Sequence, residues 1–174
     1  MKNRKRNRML GYDYSRNNLY FITICVQDRI FCFGRVGTVR NLSVPINNSN
    51  HSIRKIYLSE FGKIAHKQWE WLANQYCYVV LHSSIVMPNH VHGVIEIKSD
   101  LVTDISIKIK SLSELMGIYK TITSKQIHLI GNDQFAWQRS FHDHIIRDEV
   151  AYERICNYIE INPEKWKKDT FFEE

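Results

Sequence analysis

Residues 19–27, LYFITICVQ, place Tyr20, Ile22, Ile24 and Val26 on one side of an extended chain and Phe21, Thr23, Cys25 and Gln27 on the other. Both sides are largely apolar, so this segment needs cover on both faces and predicts an interior strand of a sheet. An interior strand needs partners on either edge. Residues 77–86 and 90–97 read as two further strands joined through Met87-Pro88-Asn89, where Pro88 and Asn89 favour a turn, so an antiparallel hairpin is expected there. A short last strand is expected near 135–141.

Helical patterns separate these strands. Ser59 is placed to cap a helix over 60–73, whose apolar stripe is Phe61, Ile64, Ala65, Gln68, Trp69 and Leu72. A second helix is expected over 103–122, carried by Ile105, Ile109, Leu112, Leu115, Met116 and Tyr119, and a third over 148–161, stopped by Asn162-Pro163. Residues 34–56 hold glycines, one proline and the run NNSNHS, which predicts a long excursion with a short hairpin near its start. The order strand, helix, strand, strand, helix, strand, helix defines an α+β chain. It is the split βαβ arrangement of a ferredoxin-like antiparallel sheet with one additional C-terminal helix, which carries a tyrosine. Two helices cover one face of such a sheet. The other face is open to a site, and the extra helix can close over it. The expected division is a basic arm at 1–18, the domain at 19–166 and a tail at 167–174.

A chain of 174 residues with 44% hydrophobic residues suits one compact domain. Its 24 Lys and Arg against 18 Asp and Glu give a formal charge of +6, which biases encounters toward polyanions. The first ten residues, MKNRKRNRML, carry basic groups and no acidic one, and fit either a solubilising tail or a phosphate clamp. No stretch of 18 apolar residues and no signal-peptide core occurs, so a soluble cytoplasmic protein without membrane attachment is expected. Cys25, Cys32, Cys77 and Cys156 form no close pair and read as ordinary buried thiols.

The segment VMPNHVHGVIEI, residues 86–97, carries the chemistry. On a strand His90 and His92 share a face about 6.6 Å apart along the backbone, while Val91, Ile95 and Ile97 point the other way. Two imidazoles so placed can converge on one metal ion, although the pair alone equally fits two surface histidines. In RICNYIEINP, residues 154–163, Tyr158 and Asn162 lie four apart and share a helix face with Arg154 and Ile155. With this helix on the open sheet face, Asn162 can complete the ligand set and Tyr158 can aim its hydroxyl at the same place. Both also have plain structural readings, a packed aromatic and a helix-ending residue. A tyrosine nucleophile, with a reference pKa near 10, suits a site where a cation neutralises a phosphate. Imidazole softness favours zinc, whereas two histidines, one amide, substrate oxygen and water suit Mg²⁺ or Mn²⁺.

Lys108, Lys110, Lys120, Arg139, Arg147 and Arg154 are candidates for contacts with the phosphates of a polyanion, with solvated surface charge as the alternative. His142 and His144 alternate as His90 and His92 do. They are candidates for supporting the site through hydrogen bonds, and a four-histidine zinc site is the competing possibility.

Four segments, YFITICVQDR at 20–29, VMPNHVHGVI at 86–95, WQRSFHDHIIR at 137–147 and NYIEINPEKW at 157–166, occur in one order along the chain. In that combination the sequence resembles the single-tyrosine HUH transposases of the IS200-like class, particularly the REP-associated tyrosine transposases. The resemblance implies a ferredoxin-like nuclease that recognises hairpins in single-stranded DNA and cuts near their feet. It implies His90 and His92 as ligands of a divalent metal, Val91 as the hydrophobic centre of the motif, and Tyr158 as the nucleophile that forms a 5′-phosphotyrosine. The family's polar ligand one helical turn later falls on Asn162. A monomer and a homodimer are both compatible with it, and nucleoid association follows from DNA binding. Three other readings stand beside it: a relaxase or replication initiator, which the small size disfavours; a noncatalytic hairpin-binding regulator; and an RNA-binding module that would need Tyr20, Phe21 and Tyr78 exposed for stacking.

Overall fold

The computed structural model describes residues 12–40, 52–104 and 106–172. Most of the expected basic arm, most of the NNSNHS run and Ile105 lie outside the described residues. Strand β1 (Asn18–Cys25) sits inside a four-stranded sheet with β4 (Val79–Val86), β5 (His90–Ile97) and β6 (His142–Ile146), in the order β4-β5-β1-β6. Every neighbouring pair is antiparallel. This is the split βαβ arrangement that the pattern of the sequence predicts. Helix α1 (Glu60–Gln75) and helix α2 (Leu112–Leu129) carry the crossovers, and α3 (Glu149–Glu160) follows β6.

Alternation along the strands separates two apolar layers. Tyr20, Ile22 and Ile24 of β1 and Val91, Ile95 and Ile97 of β5 join Trp69 and Leu72 of α1 and Leu115, Met116 and Tyr119 of α2 in the main core. On the opposite face Val94 and Ile146 pack with Ile155 and Ile159 of α3. Helix α3 therefore lies on the face left open by the other two helices. Asp148 starts it by accepting a hydrogen bond from the Ala151 backbone N–H.

Several boundaries differ from expectation. Strands β2 (Gly34–Arg40) and β3 (Ser52–Leu58) pair antiparallel along their whole lengths, from Gly34↔Leu58 to Arg40↔Ser52. Helix α2 begins at Leu112, not 103, because Ser111 and Glu114 form a capping box there. Ile109 packs against the core from outside the helix, and Lys108 and Lys110 precede it. The last strand is 142–146 rather than 135–141. Phe135 and Trp137 instead turn into the core, and only Trp137 bridges to Val26. Helix α3 ends at Glu160, and Pro163 starts a further turn, α4 (Asn162–Lys165), because its missing N–H costs nothing at a helix start. Tyr20 and Tyr78 are buried, which removes two of the three aromatics that an RNA-stacking sheet would need.

All four cysteines are free, and Cys77 is exposed, contrary to its reading as a buried thiol. Burial pushes the Cys25 thiol up to about 11. Among the described residues no helix is long and apolar enough to cross a membrane.

Gly93 shows how tightly the sheet meets α1. A Cβ built on it comes within 2.4 Å of the Trp69 ring. Gly93→Val is therefore expected to destabilise the fold by about 2 kcal/mol or more through overpacking. Urea unfolding measures this as a lower midpoint with unchanged slope; an unchanged midpoint contradicts the packing described.

Candidate active site

His90 and His92 project from β5 onto the face covered by α3, with ring centroids 4.3 Å apart. Both are essentially buried, at 0% and 1% exposure. Their outer nitrogens are fixed by neighbours. Asn89 directs its amide N–H groups to the Arg29 and Phe171 carbonyls, at 3.1 and 2.8 Å, which leaves its Oδ1 facing His90 Nδ1 at 2.8 Å. An amide oxygen only accepts, so His90 Nδ1 is the donor. In a neutral ring the remaining nitrogen, Nε2, then carries a lone pair, and it is buried with no hydrogen-bond partner. His92 Nδ1 meets Thr23 Oγ1 at 2.8 Å, and its Nε2 lies 3.3 Å from the Tyr158 hydroxyl.

Burial, reinforced by the Arg29 charge, holds His90 down at about 3. Burial, then the neighbouring His90, also holds His92 well below the usual imidazole range. Both rings are thus neutral at physiological pH, the form that binds metal.

The C-terminal residues complete the site. Asp169 Oδ2 accepts from Asn162 Nδ2 at 2.8 Å and from the Tyr158 hydroxyl at 3.4 Å. His90, His92 and Asp169 offer ligand atoms that all lie within 4.8 Å of one another. Asn162, 1% exposed, has a buried Oδ1 with no partner. Two unsatisfied buried acceptors beside a neutral imidazole pair and a carboxylate are what a divalent cation satisfies. Burial, then the Asp169 charge and hydrogen bond, push Tyr158 up to about 12. As described, its phenol is a proton donor; a nearby cation opposes that shift.

Residues 166–172 also roof the histidines. The Phe171 ring lies 4.9 Å from that of His90 and 5.8 Å from that of His92, and Trp166 is 5.8 Å from His90. Arg29 donates to the Thr170 carbonyl at 3.3 Å and sits 5.5 Å from the Phe171 ring centre. The backbone at Asp28 and Arg29 is left-handed, with φ of 54° and 53°. Such a conformation is costly for arginine, and here it coincides with the anchoring of this roof.

Structure thus brings Tyr158, His90, His92 and Asn162 together. His142 and His144 lie on the same sheet face, opposite Thr23 and Phe21, but both are exposed. Neither joins the metal-capable group, so the described residues form no four-histidine site. Lys120 does not project freely. Its ammonium binds the carbonyls of Gln138, Arg139 and Ser140 at 2.9, 3.4 and 3.3 Å. Arg139, Arg147 and Arg154 are exposed. Asn89, legible only as a turn former, and Asp169, within an expected tail, were not foreseen. The position of Asn89 directly before the histidine pair was a usable signal; Asp169 had none.

Comparisons with known proteins bear on the fold. No protein family model matches the chain. A Haemophilus influenzae (strain ATCC 51907 / DSM 11121 / KW20 / Rd) protein described as uncharacterized is 27% identical over 182 residues, covering 97% of this chain and 93% of its own. Among solved structures, the REP-associated tyrosine transposase bound to a REP hairpin aligns with a TM-score of 0.53 and 17% identity, over 91% of this chain and 72% of that one. The chain therefore has the fold of a tyrosine transposase. The shared fold coincides with the family resemblance carried by the four sequence segments.

Proposed function

We propose that this chain is a transposase-like enzyme that cuts and rejoins single-stranded DNA at or near hairpins through a covalent bond to Tyr158. The observation that carries the proposal is the buried, unpartnered Nε2 of His90, held as a lone pair beside His92, Asp169 and the Tyr158 hydroxyl. The fold shared with a protein solved on a REP hairpin supports hairpin DNA as substrate.

His90 and His92, with oxygen from Asn162 or Asp169, would hold Mg²⁺ or Mn²⁺, which supplies charge neutralisation at the scissile phosphate and the leaving oxygen. The chain's own residues do the rest. Asn89 and Thr23 fix the two imidazoles, and Asp169 orients the Tyr158 hydroxyl and accepts its proton. The Tyr158 oxygen bonds to phosphorus as the bond to the 3′ oxygen breaks, and that oxygen leaves as a 3′-hydroxyl after taking a proton from water. The 5′-phosphotyrosine keeps the phosphodiester energy, so attack by another 3′-hydroxyl reseals the strand and returns the proton to Tyr158. Tyr158 reaches His92 within one chain, which supports a monomer acting in cis.

The test is a set of single-stranded hairpins, labelled at the 3′ end so that the label stays with the adduct, incubated with Mn²⁺ or EDTA. A metal-dependent protein–DNA adduct is expected. Tight binding with no adduct in any metal favours a hairpin-binding regulator, a reading to which the buried histidines also lend support. Since Phe171 roofs both histidines, Phe171→Ala is expected to raise the initial cleavage rate about threefold or more at limiting DNA by loosening that cover. An unchanged or lower single-turnover rate contradicts this view of the roof.

A further inference from the structure

We infer that Tyr152, held by His82 and Glu96, is a positioning residue for Tyr158: it fixes how α3 is turned on the sheet and so where the Tyr158 hydroxyl stands before His92. This rests on the tyrosine chemistry proposed above. The three side chains form one chain of hydrogen bonds. The Glu96 carboxylate only accepts, so His82 Nε2 donates to Glu96 Oε2, at 3.1 Å. His82 Nδ1 lies 3.0 Å from the Tyr152 hydroxyl. In a neutral ring Nδ1 accepts from that hydroxyl, and in a charged ring it donates to it, so either form holds Tyr152. The two rings also meet edge to face, at 80° with centroids 5.5 Å apart. Lys98, 3.9 Å from the other Glu96 oxygen, closes the chain at the surface. The His82 and Glu96 side chains are 23% and 19% exposed, so water competes little for these bonds.

A local irregularity of the sheet puts His82 there. Strand β4 lies at the edge, and its pairing with β5 slips between Leu81↔Ile95 and Ser84↔Gly93. His82 and Ser83 thus stand opposite the single residue Val94, which is a β-bulge. Bulges re-aim side chains, and this one lies beside the Val94 on which α3 rests. A bulge also protects a sheet edge from pairing with another chain. Edge protection does not require a histidine bonded to both β5 and α3.

Helix α3 needs such an anchor. The buried part of its seat is Val94, Ile146, Ile155 and Ile159, and apolar contact is non-directional. It holds the helix down without fixing its turn about its own axis. Tyr152 and Tyr158 lie three residues before and after Ile155, so they flank the apolar stripe on opposite sides, about 9 Å apart along the axis. The bond at Tyr152 and the one at Tyr158, whose hydroxyl is 3.3 Å from His92 Nε2, therefore define the rotation together. When DNA and metal claim the Tyr158 hydroxyl and His92, Tyr152 keeps the setting. A reacting atom displaced by about 1 Å can cost about a hundredfold in rate, so a small turn of α3 matters.

Three variants test the role: Tyr152→Phe, His82→Phe and the two together, each leaving Tyr158 intact. In the DNA-free protein, amide hydrogen exchange of residues 155–160 is expected to quicken about fivefold or more in Tyr152→Phe, with α1 and α2 unchanged. The single-turnover rate of adduct formation should fall about tenfold or more, while hairpin affinity stays within about twofold. His82→Phe should act alike, and the double variant should lie within about twofold of either single, because both remove one link. Unchanged exchange at 155–160, rate and affinity that fall together, or single effects that multiply in the double variant overturn the role. No adduct from the unsubstituted protein in Mn²⁺ refutes the cleavage reading and the role with it. An active unsubstituted protein whose rate Tyr152→Phe leaves unchanged refutes the role alone.

Discussion

Tyr158→Phe is expected to lower single-strand cleavage by about a thousandfold or more while hairpin affinity stays within about threefold. Phenylalanine preserves the ring contacts, 6.1 Å to Phe21 and 5.3 Å to His92, and keeps α3 seated on the sheet. It removes only the hydroxyl that faces His92 and Asp169. Loss of rate without loss of binding therefore isolates the oxygen atom. Single-turnover gels give the rate and fluorescence anisotropy gives the affinity; cleavage that survives the substitution removes Tyr158 as nucleophile.

The second large effect concerns acid stability. His90 is held at about 3 and His92 well below 6.5 by burial. The unfolded chain, whose histidines titrate near 6.5, thus binds protons that the folded chain refuses. This contribution to stability is complete above pH 6.5 and drains as pH falls toward the folded values. With two protons involved, the slope in metal-free protein approaches about 2.7 kcal/mol per pH unit. His90→Gln with His92→Gln should flatten that profile between pH 6.5 and 4. Urea unfolding across this range in EDTA measures it, and a wild-type profile as flat as the variant's contradicts the described burial. Saturating Mn²⁺ should raise wild-type stability at pH 7 and leave the double variant unchanged.

The histidine pair was legible because one alternation sorts imidazoles from Val91, Ile95 and Ile97 along β5, and the sheet must bury the latter. Tyr158 and Asn162 were legible by helical spacing, although the chain turns between them at Ile161 and places Asn162 on α4. Other features depended on competition that periodicity does not weigh. Residues Ile105, Ile109 and Leu112 mimic a helical stripe, yet the capping box at Ser111 and Glu114 decides where α2 starts. Phe135, Trp137 and Phe141 alternate like a strand, but these rings enter the core and strand pairing begins at His142. Asp169 belongs to no pattern. It reaches the site only because α4 and the following turn carry the chain back over β5, where Asn89 holds the Phe171 carbonyl.

The central claim is that Tyr158 becomes covalently bound to DNA. Trapped adduct should be digested with trypsin and nuclease and sequenced by tandem mass spectrometry. Cleavage after Arg154 and Lys165 isolates residues 155–165, ICNYIEINPEK, in which Tyr158 is the sole tyrosine. A phosphonucleotide mass on that tyrosine is the result the account predicts. The same mass on any other peptide, or strand cleavage that leaves no adduct, would contradict it.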